Sequence, residues 1–281
     1  MGIVSEIEQQ LARLRDKAAG DNAPVLRTST MTHLVWAPPS WLPQARATLA
    51  GLHDRHPART IFLIPEPRRT RGITAETSLQ GVHVDGARVA YAEVIEVRLG
   101  GKAVGHPASI VLPLLIADLP VFCRWRGEPA WESGQLAELT SVADRLVVNS
   151  SEWRRIPEAY EHLAGLFDRI AVSDIAFSRT LGWRARLAES WPGIAEIHKL
   201  RVEGPKADAL LLAGWLRSRL KRDLALSVRN EDVVRSVRVD RRVIPKPLGE
   251  LASGSDLLSA ELDVFGRDRV YEGAVKSAAR R

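Results

Sequence analysis

The sequence predicts an α/β fold, a mostly parallel sheet layer with helices, followed by a smaller α+β domain with antiparallel strands. Short apolar runs alternate with helical segments up to about residue 191, a pattern typical of parallel sheets. After Pro192 one strong helix is followed only by apparent strands. The length of 281 residues, 45% of them apolar, also suggests two domains more readily than one. We predict an N-terminal helix at 1–20, an α/β domain at 21–191 and an α+β domain at 192–281.

The first hundred residues are predicted to hold an initial helix, a β-α-β unit and a further strand. The first helix, which a turn at 20–24 ends, has one apolar stripe at helical spacing: Ile3, Ile7, Leu11 and Leu14. Strands at 30–37 and 59–64 flank a helix that Ser40 would cap. The inner face of that helix is formed by Leu42, Ala45, Leu49 and Leu52. The further strand is predicted at 89–99.

An apolar stretch from Pro107 to Gly127 lies at the centre of this layer. Its apolar core, Ile110 to Cys123, is interrupted by prolines and, at 14 residues, is shorter than the roughly 20 residues of a membrane helix. We predict a helix at 108–117, then a turn, because the residue before a proline leaves the helical region. A buried strand at 121–125 follows. It ends in Arg124, Trp125 and Arg126 at an expected sheet edge, where ligands often bind.

A second strand-to-helix turn is predicted after residue 148. Asn149, Ser150 and Ser151 would cap a helix that contains Trp153. The free backbone amides of such a turn can also bind an anion, so Ser150 and Ser151 are possible anion-binding residues, although an ordinary helix cap is the favoured explanation. A strand at 170–172 and a helix at 174–191 come next.

The last ninety residues are predicted to contain a strand at 194–202, a helix at 205–222 and then strands. Asp208 lies early in the helix and its basic residues lie late, which suits the helix dipole without a ligand. Alternating apolar residues predict a half-buried antiparallel strand at 258–264. A turn at 266–268 would lead to another strand at 270–275.

The sequence contains no glycine-rich dinucleotide fingerprint after a strand, no Walker A run and no G-x-S-x-G elbow. The closest histidine pair, His53 and His56 with Asp54 between them, lacks a third local metal ligand. We therefore predict no catalytic residues, no metal and no cofactor.

Charge and cysteine content restrict the class of partner and the compartment. The net charge of +6 comes mostly from scattered arginines, which suits an acidic protein or a phosphate ligand at least as well as nucleic acid. The single cysteine, Cys123, excludes an intrachain disulfide and lies in an apolar strand, where burial raises a thiol's pKa. The first residues lack a signal-peptide pattern, so we expect a cytoplasmic protein.

Tryptophan is unusually frequent, with eight residues against five phenylalanines, and several tryptophans adjoin arginines. These two residue types dominate interface hot spots, although most buried tryptophans belong to a core. The candidate partner-binding residues are Arg124, Trp125, Arg126, Trp183 and Arg184.

Several segments, taken in order, resemble the glucose-6-phosphate dehydrogenase assembly protein family (OpcA). The similar segments are 111–120 with 124–127, 144–151, 174–180 with Trp183 and Arg184, and 210–216 with Arg219 and Leu220. This chain departs from the family at Arg124-Trp125, where a Trp-Trp pair is frequent. It also departs at Asn149, where aspartate is common, and at Tyr91-Ala92-Glu93, where Cys-Ser-Glu is more usual.

The resemblance implies a non-catalytic protein that binds glucose-6-phosphate dehydrogenase, promotes its active oligomer and supports NADPH production in the oxidative pentose phosphate pathway. It implies neither a nucleic-acid nor a membrane partner. Two other classes stay open. One is a sugar-phosphate-binding sensor or enzyme of the α/β class that acts near Arg126 and Ser150. The other is a nucleic-acid-binding module, whose affinity would fall steeply with salt.

Overall fold

A computed structural model describes residues 2–19, 29–52, 55–70, 72–85, 88–249 and 251–280. The predicted turn at 20–24 and two members of the histidine motif, His53 and Asp54, lie outside these residues. The chain forms two compact units: unit 1 is Met1–Val147 with Gly254–Phe265, and unit 2 is Val148–Ser253 with Gly266–Arg281. The domains predicted at 1–20, 21–191 and 192–281 have other bounds and remain predictions.

The described residues form a mixed α/β structure, as predicted. The strands are β1 (Met31–Trp36), β2 (Ala58–Glu66), β3 (Ile73–Asp85), β4 (Arg88–Gly100), β5 (Val121–Trp125), β6 (Arg145–Val148), β7 (Ala171–Asp174), β8 (Lys199–Glu203), β9 (Ala225–Arg229), β10 (Ser236–Val239) and β11 (Arg242–Val243). The α-helices are α1 (Ile3–Ala19), α2 (Leu42–Ala50), α3 (Ala108–Val111), α4 (Gly134–Val142), α5 (Glu158–Ala164), α6 (Ile175–Arg179), α7 (Leu181–Ala188), α8 (Lys206–Leu220), α9 (Gly254–Leu262) and α10 (Arg269–Ala279). Short 3-10 helices lie at Gly101–Gly105, Leu112–Leu114, Ser150–Glu152 and Gly193–Glu196. Within the described ranges no helix combines the length and apolar character that a membrane crossing requires.

Unit 1 is built on a mostly parallel sheet, which confirms the predicted layer. Its strands lie in the order β3-β4-β2-β1-β5-β6, and only the β3–β4 pair is antiparallel. The central strands β1 and β5 are buried along their whole length, as expected when helices cover both faces of a parallel sheet. Trp36 and Trp125 are register partners at the ends of these two strands.

Helix α2 covers one part of this sheet. Its buried residues Leu42, Ala45 and Leu49 pack with Val35 of β1 and Phe62 of β2. These three residues recur at i, i+3 and i+7, which explains why the helix was predictable. The predicted cap was wrong, because the N-cap residue is Trp41 rather than Ser40 and makes no side-chain capping bond.

The long hairpin of β3 and β4 at the edge of the sheet was only half predicted. Strand β4 matches the strand expected at 89–99, whereas β3 was not expected. Helix α1 packs against β3, and Arg15 of this helix donates from Nε to the Glu93 carboxylate on β4 at 2.7 Å. Strand β3 carries few large apolar residues along its first half, so its sequence gives a weak strand signal.

Unit 2 contains the smaller sheet, whose strands lie in the order β11-β10-β8-β9. The β10 pairs with β8 and β11 are antiparallel, as predicted, and the β8–β9 pair is parallel. Helix α8 packs its apolar face on this sheet and matches the helix predicted at 205–222. Helix α10 lies against α8 so closely that a Cβ on Gly214 would overlap the Ala274 carbonyl oxygen.

The two strands predicted near the end of the chain are helices. Leu258 and Leu262 are buried and lie four residues apart on α9, whereas Ala260 between them is exposed. A spacing of four satisfies both the strand period and the helix period, which explains the wrong prediction at 258–264.

The prediction of a strand at 270–275 was wrong for a related reason. Asp268, read as part of a turn, is the N-cap of α10 and accepts hydrogen bonds from the backbone amides of Val270 and Tyr271 at 2.8 and 3.0 Å. The buried residues of α10 include Tyr271, Ala274 and Ala278, which is helical spacing.

Three predicted helices differ in extent. The segment 108–117 forms α3 and a 3-10 turn, and the segment 174–191 is divided into α6 and α7. The helix expected after Asn149 begins only at Glu158, because the residues directly after Asn149 form a 3-10 turn. The strand predicted at 194–202 is a 3-10 helix followed by β8.

Candidate functional site

The end of β5 holds the first three candidate residues in unit 1. The Trp125 ring stacks on Trp36, with ring centroids 4.8 Å apart and an angle of 15° between the planes. Both indoles are almost fully buried. The pair follows from the parallel register of β1 and β5, and it makes Trp125 a packing residue of unit 1.

Arg126 is held over a third tryptophan. Its guanidinium carbon lies 4.9 Å from the centre of the Trp41 ring, a cation–π distance. Its Nη2 donates to Gln44 Oε1 at 2.6 Å. Gly127 follows with φ +76°, and a Cβ there would come within 3.0 Å of the Trp41 indole nitrogen. A glycine at 127 therefore lets the chain turn tightly beside Trp41.

Arg124, two residues before Arg126, is also buried at the strand end. Its Nη1 donates to the backbone oxygens of Trp125 and Val147. Together with His33 and Arg126 it lines a cavity of about 10 Å³, room for about one water molecule. Small-molecule sites usually have about 300–1,000 Å³, so this cavity is far smaller than a sugar phosphate needs.

Ser150 lies in unit 2 within a buried polar network. Its backbone amide donates to Asp174 Oδ1 at 3.0 Å, and its hydroxyl accepts from the Tyr160 hydroxyl at 3.0 Å. Asp174 Oδ1 also accepts from the backbone amide of Ala176 at 2.9 Å and so caps α6. The Ser150 amide, which the sequence analysis considered as a possible anion-binding group, is therefore already hydrogen-bonded to the Asp174 carboxylate.

Burial changes the protonation chemistry of this network. Desolvation raises the pKa of the Asp174 carboxyl to about 6, although the hydrogen bonds of Ser150 and Ala176 oppose the rise. Burial likewise raises the pKa of Tyr160 well above its ordinary value, and the charge of Asp174 adds to this effect. Both groups favour their neutral forms more than they would in water.

Ser151 belongs to a neighbouring ion-pair cluster in the same unit. Arg179 binds the Asp208 carboxylate with two nitrogens, Nε to Oδ2 at 2.8 Å and Nη2 to Oδ1 at 2.6 Å. The Ser151 hydroxyl donates to Asp208 Oδ1 at 3.1 Å. Asp208 is fully buried, so its function is to bind Arg179, in addition to any interaction with the helix dipole.

Trp183 and Arg184 lie on α7 in unit 2. Trp183 packs with Leu187 and Ile244 in the core beneath the smaller sheet. Arg184 places its guanidinium carbon 3.7 Å from the centre of the Phe177 ring, and its Nη2 donates to the Phe177 oxygen at 3.3 Å. Trp183 is thus a core residue, and Arg184 is half-buried against an aromatic ring.

The structure places the sequence-predicted residues in three groups, one of which is Trp183 with Arg184 on α7. Arg124, Trp125 and Arg126 share the end of β5, and all three are more than nine-tenths buried. In unit 2, Ser150 and Ser151 share one turn. The partner-binding role of the arginine and tryptophan residues and the anion-binding role of the serines remain predictions.

Sequence reasoning missed the members of the buried network that lie far apart along the chain. Asp174, Arg179 and Asp208 come from three different elements, and only Asp174 has a local signal, as an acidic residue directly before a helix. The pairing of Arg179 with Asp208 depends on the tertiary fold and has no sequence pattern of its own.

Cys123 is fully buried in β5, as predicted. Desolvation raises the pKa of its thiol to about 12, and the nearby Arg124 charge opposes this only in part. A thiol with this pKa forms almost no thiolate near neutral pH, so it is a poor nucleophile. In the portion of the chain that the structure covers, no group of three or more metal-ligating side chains occurs.

Comparison with known proteins gives matches along most of the chain. The N-terminal domain model of the glucose-6-phosphate dehydrogenase subunit family, named OpcA, matches residues 50–165, and the C-terminal domain model matches residues 170–251. The OxPP cycle protein OpcA of Synechocystis is 27% identical over 180 residues, and its counterpart in Nostoc punctiforme is 25% identical over 179 residues. Each alignment covers 59% of this chain but 38% of the relative, so this chain matches well under half of those proteins.

Both domain models match in consecutive order, and the matched regions include the ends of β5 and β6, the Ser150 turn, α7 and α8. The chain belongs to the OpcA family of glucose-6-phosphate dehydrogenase assembly proteins.

Proposed function

We propose that this chain is a non-catalytic assembly factor that binds glucose-6-phosphate dehydrogenase, promotes its active oligomer and raises its activity. The observation that carries the proposal is the successive match of both family domains, at 50–165 and 170–251. The matched relatives are named for the OxPP cycle. We place the action of this chain in the oxidative pentose phosphate pathway, in the cytoplasm, where it would support NADPH production.

The packing at the strand ends supports a role without catalysis. Arg126 is engaged by Trp41 and Gln44, and the Ser150 amide is engaged by the Asp174 carboxylate. Polar groups that already interact with one another within the chain have little hydrogen-bonding capacity left for a substrate. The water-sized cavity beside Arg124 is also too small for a sugar phosphate.

Titration of the purified dehydrogenase with this chain tests the proposal. We expect the rate of NADPH formation to rise with added chain and the mass of the dehydrogenase to shift to a larger assembly that contains both proteins. The chain alone should form no NADPH from glucose 6-phosphate and NADP. Dehydrogenase activity of the chain alone, or a dehydrogenase whose mass and rate ignore the chain, would contradict the proposal.

The same samples test the predicted anchors. Arg126→Ala and Arg184→Ala should weaken the complex if these side chains contribute to binding. Trp125→Ala or Trp183→Ala should lower the free energy of unfolding by about 3–5 kcal/mol if these indoles are core residues. Binding of glucose 6-phosphate to the isolated chain, measured by calorimetry, would favour a sugar-phosphate sensor instead.

A further inference from the structure

In unit 2 the segment 241–248 runs alongside α7. Arg242 Nη2 donates to the Ser190 hydroxyl at 3.2 Å, just beyond the end of the helix. Pro247 lies beside Gly182 at the start of the helix, where a Cβ on the glycine would come within 2.8 Å of the proline side chain. The segment therefore follows α7 from its end to its start, a length of about 12 Å for eight helical residues.

Helix α7 with the residues just after it, and the segment 241–248, have exposed apolar side chains as well as buried ones. Ile244 packs inward with Trp183 and Leu187. The α7 surface, as we name it, consists of four large apolar side chains that remain exposed: Leu181 (62%) at the start of α7, Trp191 (67%) three residues after its end, and Val243 (55%) and Leu248 (89%) on the segment beside it. Exposed apolar groups are ordinary when single, but a cluster along one helix and its neighbouring segment indicates an interaction site.

Trp191 is the strongest candidate for an anchor on this surface. Tryptophan is among the residue types most enriched at interface hot spots, and this side chain, three residues beyond the end of α7, is two-thirds exposed. By contrast, Trp183 on α7 is already buried in the core of unit 2, so it has little surface left to offer a partner.

The charge beside the α7 surface is positive. Residues 241–248 contain Arg241, Arg242 and Lys246, all exposed, and no acidic residue. The acidic side chain that ends α7, Glu189, is paired with Arg186 at 2.9 Å. A second copy of this chain on the same patch would bring these like charges together, whereas an acidic surface would complement them.

We propose that the α7 surface is the docking site for glucose-6-phosphate dehydrogenase, through a patch on the enzyme that is apolar at its centre and acidic at its rim. Trp191 is the central anchor, and Arg241 and Lys246 steer the approach. This inference rests on the proposed function. All four members of the α7 surface lie within the region that the family's C-terminal domain model matches.

The test compares two residues in the full chain whose large apolar side chains are both more than half exposed. Trp191→Ser should raise the Kd for the purified dehydrogenase about thirtyfold or more, as expected for a hot spot. The matched control is Leu112→Ser in unit 1, where the leucine is 54% exposed and the Kd should stay at the parent value. Melting temperatures of both variants should match the parent, because neither side chain is buried.

A second variant does not depend on the folding of the first. Charge reversal at two exposed sites, Arg241→Glu with Lys246→Glu, should slow association with the dehydrogenase at least tenfold at low salt and much less at high salt. The control is Arg169→Glu, another exposed arginine of unit 2, which should leave the association rate within twofold of the parent.

The outcomes separate this inference from the proposed function. If the parent binds the dehydrogenase and Trp191→Ser binds equally well, the docking site lies elsewhere while the assembly function stands. If the charge-reversed variant associates at the parent rate, the acidic partner surface is wrong. If the parent itself does not bind the dehydrogenase, the proposed function is wrong, and so is the proposal that the dehydrogenase docks on the α7 surface.

Discussion

Two buried carboxylates, Glu93 in unit 1 and Asp174 in unit 2, are held in different ways. Glu93 Oε2 accepts from Arg59 Nε at 2.7 Å, and Glu93 also pairs with Arg15. Asp174 is held by two backbone amides through Oδ1, and among the described residues its Oδ2 has no hydrogen-bond partner. One carboxylate is neutralised by cations, and the other is held only by neutral donors.

The difference shows how each unit offsets the cost of burying a carboxylate. The guanidinium groups of Arg59 and Arg15 offset much of the cost of removing the Glu93 carboxylate from water. Backbone amides offset less of that cost at Asp174, and burial raises its pKa to about 6. Unit 1 therefore depends on an ion pair, and unit 2 contains a carboxylate whose ionisation opposes folding.

The largest expected effect comes from breaking the ion pair. Glu93→Gln removes the buried carboxylate partner of Arg59, which is only 3% exposed, and leaves it, among the described residues, only the part-exposed Glu8 at 3.2 Å as an ionic partner. The substitution should lower the free energy of unfolding by about 3–5 kcal/mol. Urea unfolding followed by tryptophan fluorescence measures this. The control is Glu96→Gln on the same strand, because Glu96 pairs with the half-exposed Arg46 and should cost at most about 1 kcal/mol. Equal losses in the two variants would contradict the distinction between buried and exposed pairs.

A somewhat smaller effect is expected from pH at Asp174. Its pKa is about 6 in the folded chain against an ordinary value of 3.8, so the folded state holds the proton more tightly. Its contribution to stability is full below about pH 4 and is lost as the pH rises through 6, a change of roughly 3 kcal/mol.

Asp174→Asn removes this titration but keeps an oxygen for the amides of Ser150 and Ala176. The stability of the parent relative to the variant should therefore fall between pH 4 and pH 6.5 and stay level above that. Parallel pH profiles for the two proteins would show that Asp174 does not titrate in this range.

The smallest effect is expected from the hydroxyl next to this carboxylate. Tyr160→Phe removes the hydrogen bond to the Ser150 hydroxyl and should lower the free energy of unfolding by about 1 kcal/mol. Tyr91→Phe, at a partly exposed tyrosine of unit 1, should change it by less than half as much. A loss of several kcal/mol at Tyr160 would mean that its hydroxyl supports the whole network rather than Ser150 alone.

The part of the fold that sequence could predict is the part with clear local signals. Helix α2 has apolar residues at helical spacing, whereas β1 and β5 are mostly apolar runs, recognised by their shortness and by the prolines or glycine that bound them. The pair Leu258 and Leu262 suits both a strand and a helix, and there the tertiary context selected the helix. In the same way, Asp268 is typical of both a turn and a helix N-cap. The structure shows that it is an N-cap, since the helix that follows buries Tyr271.

The candidate site was predictable only where its members are neighbours in sequence. Arg124, Trp125 and Arg126 were found as a local run, but their burial depends on Trp36, which the sheet register brings alongside Trp125, and on Trp41 at the start of α2. Composition alone also cannot separate a core tryptophan such as Trp183 from an exposed one such as Trp191. Trp183 lies on α7 and Trp191 lies three residues after its end, and the tertiary packing decides which of the two faces water.

The chain after Ser253 contributes α9 to unit 1 and α10 to unit 2. Domain dissection by truncation at the end of the matched C-terminal region, residue 251, would therefore damage both units at once. Unit 1 would lose the Ser255 and Ser259 contacts with Thr48 and His56, and α8 would lose the helix that packs at Gly214. Proteolytic loss of the last thirty residues should thus have consequences at the opposite end of the sequence, in helix α2 and the residues that follow it.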